Sequence, residues 1–169
     1  MKRLLAALVA TTALSACASA PVELVVIPSI GPATQENWDA GQAAYLAWNG
    51  ARKGWTTTAS GLQYRREGKA APNGAQPVAT DTVQVHYQGT FIDNREFDSS
   101  YSRGAPASFP LNRVIKGWTE GVALMREGET YQFVIPADLA YGPRWVGQDI
   151  PPNSVLKFKV ELLAVNPAP

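Results

Sequence analysis

Residues 114–125, VIKGWTEGVALM, decide which fold the rest of the chain can adopt. Two glycines, Gly117 and Gly121, interrupt this stretch, and each costs a helix about 1 kcal/mol relative to alanine. Trp118, a very large side chain, directly follows the first of them. The remaining apolar residues recur at a helical spacing: Val114, Ile115, Val122 and Met125. The stretch therefore predicts a short amphipathic helix in which the two glycines need a physical reason.

Strands are predicted on both sides of this helix, in segments 62–67, 82–91, 130–136 and 154–165. Each alternates apolar and polar residues, as a half-buried strand does. In segment 82–91 the apolar face carries Val83, Val85, Tyr87, Gly89 and Phe91. An antiparallel sheet typically has one apolar face and one solvent-exposed face. The sequence therefore predicts an α+β fold in which such a sheet folds over the single helix.

The N-terminal residues 1–16 resemble a secretory signal peptide of the bacterial lipoprotein type. Lys2 and Arg3 precede a mostly apolar run that is shorter than the roughly 20 residues needed to cross a bilayer. The run ends in LSAC, and Cys17 is the only cysteine of the chain. In that class the chain is cut before the cysteine, which is then acylated; the alternative is a lone cysteine in an ordinary signal peptide. With Ala18 next, the resemblance implies a lipid anchor on the periplasmic face of the outer membrane.

Between this signal and the predicted sheet lie a tether, residues 17–35, and a helical segment, residues 36–58. The tether is rich in Ala, Pro, Ser and Thr, which is typical of an extended linker. In the helical segment Trp38, Tyr45 and Trp48 fall on one face, and Asn37 is placed to cap the helix. These aromatic residues either pack against the chain's own domain, which we favour, or form a surface for a partner or a second copy.

The composition excludes several functional classes. The net charge is +1 and the basic residues are scattered, so the sequence predicts no basic patch of the kind that binds nucleic acid. The single histidine, His86, falls on the polar face of its strand, and no cysteine remains in the predicted domain for nucleophilic or zinc chemistry. No phosphate-binding glycine loop is present. We therefore expect no metal, no cofactor and no covalent intermediate.

Residues 59–166 resemble an FK506-binding-protein (FKBP-type) peptidyl-prolyl cis-trans isomerase. The resemblance rests on several segments in order: VHYQGTF, FDSSYSRGAPASFPL, VIKGWTEGVALMREGE, IPADLAYGPR and IPPNSVLKFKVELL. It implies a curved antiparallel sheet around one short helix, and catalysis of rotation about X-Pro bonds in proline-containing polypeptides. Rotation about a peptide bond meets a barrier of about 18–20 kcal/mol, and a dry apolar cleft disfavours the twisted form less than the charge-separated planar one.

The resemblance also assigns the site. It gives Tyr87, Asp98, Ile115 and Tyr141 as catalytic positions, and Phe97, Phe109, Val114, Trp118 and Phe158 as substrate-binding positions. Trp118 would be the floor on which the proline ring stacks. The Ile115 backbone amide and the Tyr141 hydroxyl would hold substrate carbonyls.

The remaining roles follow from the same resemblance. Tyr87, Phe97 and Phe158 would wall the cleft. Asp98 would orient Tyr87 or polarise the substrate; alternatively it caps a loop with Ser99. We infer that Gly117 and Gly121 let nearby strands approach the helix closely, which would offset their propensity cost.

Departures from the family pattern and the short N-terminal region bear on partners. Ala107, Pro143, Trp145 and Val146 change the rim of the pocket, so substrate preference and binding of FK506-like macrolides stay open. About forty residues separate Cys17 from the catalytic domain, too few for the long helical dimer arm of some bacterial members. We therefore expect a lipid-tethered monomer assisting protein folding in the cell envelope. The alternative is a proline-segment-binding chaperone or scaffold.

Overall fold

The structure, a computed structural model, describes residues 34–167 and contains two α-helices, two short 3-10 helices and seven strands in that range. The signal segment 1–16, Cys17 and all of the tether up to residue 33 lie outside the described residues. The elements, in chain order, are α1 (Gln35–Gly50), β1 (Thr56–Thr57), β2 (Gln63–Glu67), β3 (Thr82–Thr90), β4 (Glu96–Ser99), β5 (Ala107–Pro110), α2 (Lys116–Val122), β6 (Thr130–Ile135) and β7 (Leu156–Val165). Within residues 34–167 neither helix is long and apolar enough to cross a membrane.

All seven strands form one open, curved antiparallel sheet, which confirms the predicted α+β fold. The strand order is β1-β2-β6-β7-β3-β4, and β5 pairs with the first half of β3 while β4 pairs with its second half. The register shifts between Gln84 and Val85 opposite β7, and between Gly89 and Thr90 opposite β4. Such irregularities bend and twist a strand locally, so the long central strand curves around α2.

The core lies between the concave face of the sheet and α2. The alternation predicted for β3 is confirmed, because Val83, Val85 and Tyr87 are all buried. Strand β7 contributes Leu156, Phe158, Val160 and Leu162 to the same side. From α2, Trp118 and Val122 complete the cluster. Burying each such side chain stabilises the fold by about 1.5–3 kcal/mol, so this layer carries most of the driving force for folding.

Helix α2 is shorter than the apolar spacing of residues 114–125 predicts. Ile115 is extended (φ −60°, ψ 149°) and only precedes the helix. After Val122 the chain tightens, with amide-to-carbonyl bonds from Leu124 to Gly121 and from Met125 to Val122, each spanning three residues. Seven residues are therefore helical, while the flanking apolar residues are held by the core rather than by helical periodicity.

The two glycines of α2 are required by close contact with β6, as inferred from the sequence. A Cβ atom at Gly117 would lie 2.4 Å from Cγ2 of Ile135, and one at Gly121 would lie 2.7 Å from Cε1 of Phe133. Real Cβ atoms essentially never approach other heavy atoms this closely. Their absence lets the helix lie directly on the strand, and the packing gained there offsets the propensity cost.

Helix α1 packs on the outer, convex face of the sheet. Tyr45 and Leu46, with Trp55 after the helix, pack against a small cluster that includes Val134 and Val155. The favoured prediction, that aromatic residues of this helix pack against the chain's own domain, is confirmed for Tyr45. It is also confirmed for Trp38, whose Nε1 donates to the Pro152 carbonyl at 3.0 Å.

Buried amide side chains fix the position of α1. Oε1 of Gln42 accepts from the Val155 amide at 2.9 Å, and Nδ2 of Asn49 donates to Oε1 of Gln63 at 2.8 Å. The helix cap differs from the sequence prediction: the hydroxyl of Thr34, not the Asn37 side chain, is the cap, and it accepts from the Asn37 backbone amide at 3.2 Å. A hydroxyl one position before the first helical residue is the usual acceptor for an amide three residues on.

Three strands, β1, β4 and β5, have no counterpart in the pattern analysis. They contain two, four and four residues, too few to display an alternation. Asp98 belongs to β4, so it does not lie in a loop that it could cap. Its position comes from pairing with β3, where Gly89 is its partner residue.

Candidate active site

A cleft of about 530 Å³ opens on the concave side of the sheet, above α2. Its volume falls within the range of about 300–1,000 Å³ that is usual for small-ligand sites. The structure brings all of the residues assigned to the site together around it: Tyr87, Phe97, Asp98, Phe109, Val114, Ile115, Trp118, Tyr141 and Phe158. Arg113, Lys116 and Ala140 also line it and were not predicted. The four departures from the family pattern, Ala107, Pro143, Trp145 and Val146, are not among the lining residues.

Trp118 forms the base of the cleft and is only 4% exposed. Three aromatic rings stand nearly perpendicular to its indole: Tyr87 at 5.2 Å, Phe158 at 5.3 Å and Phe109 at 5.7 Å between centroids. Edge-to-face contacts at these distances are favourable and directional, each worth about 0.5–1.5 kcal/mol beyond burial. The indole is thus held in one orientation before any ligand arrives.

The far wall depends on a glycine whose role the sequence analysis missed. Phe97 and Phe158 meet edge-to-face at 5.6 Å. A Cβ atom at Gly89 would lie 2.7 Å from Cζ of Phe97 and 2.9 Å from Cε1 of Phe158. Glycine in the middle of a strand often marks such a close approach, and this was the available sequence signal.

A polar network at the cleft edge joins Tyr87, Asp98 and Arg103. The Tyr87 hydroxyl donates to Oδ2 of Asp98 at 2.5 Å, and Nη2 of Arg103 donates to the Tyr87 oxygen at 2.7 Å. Nη1 of Arg103 forms an ion pair with Oδ1 of Asp98. Arg103 was missed because nothing in its loop sequence indicates that it folds back over β3 and β4.

The network fixes the protonation states at the site. Partial burial acts to raise the pKa of Asp98, but hydrogen bonds from Tyr87 and Arg103 and the charge of Arg103 outweigh it, so the pKa lies below 3.8. Burial, and then the hydrogen bond to Asp98, raise the pKa of Tyr87 above 10.0. At neutral pH the site therefore holds a carboxylate, a guanidinium and a neutral phenol.

Two further polar groups, the Ile115 amide and the Tyr141 hydroxyl, belong to residues that line the cleft. Ile115 directly precedes α2, so its amide lies outside the hydrogen-bond ladder of the helix. Burial raises the pKa of Tyr141, with a smaller contribution from the charge of Asp98, so its hydroxyl keeps its proton. Within residues 34–167 no hydrogen bond involves that hydroxyl, which leaves it available to donate to a ligand.

His86 lies on the convex face, away from the cleft, as the strand pattern predicted. Its Nδ1 is 3.0 Å from the Ser100 hydroxyl, and its ring stacks on Tyr101. In the described part of the chain no three of His, Cys, Asp and Glu come close enough together to hold a metal ion. The residues that line the cleft offer apolar contact plus a few neutral and charged hydrogen-bonding groups.

Replacing Arg103 by leucine is expected to raise the pKa of Asp98 towards or above 3.8. A lowered folded-state pKa gives stability that is present above the unfolded-state value and is lost as the pH falls through the folded-state value. In the variant the folded-state and unfolded-state pKa values lie closer together, so Asp98 contributes less stability above the unfolded-state value and less is lost as the pH falls. Carbon-13 titration of the Asp98 carboxyl, with unfolding measured between about pH 2 and 6, tests this.

Arg113→Leu is the matched control, because it removes the same charge from a residue of the same cleft that has no carboxylate within ion-pair distance in residues 34–167. Its Asp98 titration should stay close to that of the wild type. An Asp98 pKa that Arg103→Leu leaves unchanged would show that the ion pair does not control the carboxylate.

An antiparallel sheet around one short helix, with an indole-floored aromatic cleft between them, defines a class of domain that binds a small apolar group beside hydrogen-bond donors. The family model described as FKBP-type peptidyl-prolyl cis-trans isomerase matches residues 73–163. The chain belongs to this family.

Individual relatives agree with the family assignment. The chain is 54% identical over 121 residues to the FKBP-type isomerase FkpA of Aeromonas hydrophila, covering 72% of this chain and 44% of that protein. It is 47% identical over 125 residues to the outer membrane protein MIP of Legionella longbeachae, covering 74% and 53%. The chain thus spans about half the length of the curated relatives it matches.

Solved structures agree with the fold. Escherichia coli FkpA superposes with a TM-score of 0.71 at 46% identity, covering 79% of this chain and 63% of that one. A peptidyl-prolyl cis-trans isomerase of Pseudomonas syringae superposes with a TM-score of 0.73 at 32% identity, covering 80% and 98%.

Proposed function

We propose that this protein is a peptidyl-prolyl cis-trans isomerase that accelerates rotation about X-Pro bonds of polypeptides. The observation that carries the proposal is the convergence of aromatic residues from β3, β4, β5, α2 and β7 on one cleft floored by Trp118. X-Pro bonds exchange unaided over tens to hundreds of seconds, so a catalyst needs only to favour the twisted form.

The geometry supports catalysis without a nucleophile or a proton relay. The planar bond keeps a charge-separated resonance form, which an apolar, water-poor cleft disfavours relative to the twisted bond. The proline ring stacks on Trp118, beside the walls formed by Tyr87, Phe97 and Phe158. The Ile115 amide and the Tyr141 hydroxyl bind flanking carbonyls, which holds the chain on both sides of the rotating bond.

Asp98 and Arg103 act on the cleft through Tyr87. Their hydrogen bonds hold the Tyr87 ring against Trp118, and the negative charge of Asp98 lies beside the position where the substrate turns. The pKa of Asp98 is lowered and those of Tyr87 and Tyr141 are raised. None of these three groups therefore gains or loses a proton near neutral pH. The rate should therefore be flat from about pH 5 to 9.

The test is isomerisation of a Phe-Pro peptide, followed by exchange spectroscopy, with protein produced without residues 1–17. We expect clear acceleration over buffer, lowered by Tyr141→Phe and unchanged by His86→Ala, a control on the opposite face of the sheet. A rate equal to that in buffer would refute the assignment. Addition of FK506 reports whether macrolides of that kind compete for the cleft.

We also propose that the protein is exported to the cell envelope and anchored by acylation at Cys17, facing the periplasm from the outer membrane. The N-terminal sequence supports this, as does the relative named outer membrane protein MIP. Mass measurement of the native N-terminus tests it, and Cys17→Ser should release the protein from the membrane fraction. A native protein with no added acyl mass would contradict the anchor.

A binding role without essential turnover is the second candidate. Trp145 is 60% exposed and Tyr101 is 45% exposed, as residues that contact clients would be. Trp38, Trp48 and Trp55 are half-buried and offer less surface for such contacts. If Tyr141→Phe or Asp98→Ala abolishes isomerisation but leaves suppression of client aggregation intact, binding is the principal task.

Sedimentation of the unacylated protein tests the expected monomer.

A further inference from the structure

A second cavity, of about 400 Å³, lies on the convex face of the sheet, between the C-terminal end of α1 and strands β3, β6 and β7. It is on the opposite side of the sheet from the Trp118 cleft. Tyr45 of α1 and the following Arg52 and Trp55 form one wall of it, above the three strands. We call it the outer pocket.

Positive charge dominates the outer pocket. Arg52, Lys157 and Lys159 all line it. Nζ of Lys159 is compensated by Glu67 at 3.5 Å. Neither Arg52 nor Lys157 has a carboxylate within 4.0 Å in residues 34–167; their side chains donate hydrogen bonds to the amide oxygens of Asn49 and Asn94.

The nearby acidic groups do not cancel this charge. Glu67 already forms an ion pair with Lys159, and Oδ2 of Asp93 forms one with Nε of Arg95 at 2.7 Å. Burial lowers the pKa of Lys157, with Asp93 acting to raise it and Arg52 acting to lower it further. Arg52 lies just beyond the C-terminus of α1, where the helix dipole favours a positive charge. The dipole does not account for the positive charge of Lys157, which lies on strand β7.

The rest of the lining combines flat apolar surface with side-chain amides. The Trp55 ring lies against two guanidinium groups, with Cζ of Arg52 at 5.8 Å and Cζ of Arg65 at 5.3 Å from its centroid. Gln88 and Gln132 line the pocket from β3 and β6, and their amides already have partners, Gln88 in Glu96, and Gln132 in Arg65 and Glu67. A ligand that suits the two uncompensated cations and the Trp55 ring carries a carboxylate beside an apolar side chain.

We propose that the outer pocket binds acidic segments of unfolded polypeptides, through a glutamate or aspartate side chain placed beside an aliphatic or aromatic residue. A phosphate or lipid headgroup would use the charges of Arg52 and Lys157. It would leave the ring of Trp55 unused, so polypeptide is the better match.

The position of the pocket suits a protein that handles extended chains. Asn94 lines the outer pocket, while Phe97 and Asp98 line the cleft, so only the β3–β4 turn separates the two sites. Each extended residue advances a polypeptide by about 3.3 Å, so a short extended segment would pass over this turn. An acidic residue within several positions of a proline would then let one chain occupy both sites. This last step rests on the proposed isomerase function, whereas acidic binding at the outer pocket does not.

The test uses a proline-free peptide, acetyl-Leu-Glu-Phe-Glu-Leu-amide, and its counterpart with glutamine in place of both glutamates. Nitrogen-15 spectra of the protein resolve indole signals, so Trp55 reports on the outer pocket and Trp118 on the cleft. We expect the acidic peptide to shift the Trp55 signal and not the Trp118 signal. The glutamine peptide should bind about tenfold more weakly or worse, and added salt should weaken the acidic peptide because its binding is electrostatic.

The double variant Arg52→Gln/Lys157→Gln should lose at least tenfold in affinity for the acidic peptide. Lys53→Gln/Lys69→Gln removes the same charge from exposed residues outside the pocket and should bind as the wild type does. Isomerase activity on a neutral Phe-Pro peptide should be the same in all three proteins. The peptide comparison needs no variant, so misfolding of one would not prevent the test.

Equal affinity for the two peptides would overturn the proposal, and so would an Arg52→Gln/Lys157→Gln protein that binds the acidic peptide normally. Vesicles of phosphatidylglycerol that bind the wild type but not this variant, with no peptide binding, would assign the pocket to lipid instead. Lack of isomerase activity with acidic-peptide binding intact would refute the catalytic proposal alone.

Discussion

Trp118→Ala is expected to lower kcat/KM for a Phe-Pro peptide by about 10- to 100-fold, which corresponds to about 1.4–2.7 kcal/mol of transition-state stabilisation. The indole is the floor of the cleft, and it orients Tyr87, Phe109 and Phe158 through edge-to-face contacts. Its removal therefore takes away the stacking surface and loosens three walls at once. The same change should destabilise the fold by about 3–5 kcal/mol, because the side chain is almost fully buried.

Met125→Ala separates the two effects. Met125 is fully buried in the same core but does not line the cleft. Its truncation should cost about 2–5 kcal/mol of stability and leave kcat/KM near the wild-type value under conditions where the protein stays folded. Circular dichroism and denaturant unfolding establish the folded fraction before rates are compared. If the two variants lost activity equally, the indole would be a core residue without a specific catalytic role.

Gly117→Ala is expected to destabilise the protein by about 1–3 kcal/mol, although alanine favours a helix by about 1 kcal/mol. The added Cβ would lie 2.4 Å from Cγ2 of Ile135 and 3.0 Å from its Cδ1. Ile135 is fully buried and cannot move aside, so α2 must shift away from β6. That shift would also move Ile115 and Trp118, so the isomerase rate should fall together with the free energy of unfolding.

Ile135→Ala supplies the control for the clash. It is destabilising alone, but in combination with Gly117→Ala it removes the atoms that the new methyl group meets. We expect a favourable coupling energy of about 0.5–3 kcal/mol in a double-mutant cycle from denaturant unfolding. Additive effects would mean that the glycine is not needed for close approach to Ile135.

The parts of the fold that local pattern predicts are those with enough repeats to show a period. Strands β3 and β7, with nine and ten residues, are bounded almost as their alternation predicts. The short strands β4 and β5 exist because the two halves of β3 offer them partners, and no local signal marks such pairing. Helix α2 shows the converse, since the apolar period of residues 114–125 extends beyond the seven residues that are helical.

The candidate site divides in the same way. Its apolar members were placed by resemblance, and each of them lines the cleft. Arg103 was missed because its importance comes from contact with Tyr87 and Asp98, 16 and 5 residues away along the chain. The role of Gly89 likewise depends on two rings that belong to other strands.

By itself the sequence determined which faces of the long strands are buried, that the central helix must lie close against its neighbours, and which family the domain belongs to. Periodicity and residue size are local properties, and they specify burial directly. Only the tertiary structure decided that Arg103 closes a network with Tyr87 and Asp98, and that α1 lies over the convex face to form the outer pocket. Both arrangements join residues from separate elements, and the free energy that selects them comes from long-range packing and charge, which no short stretch of sequence displays.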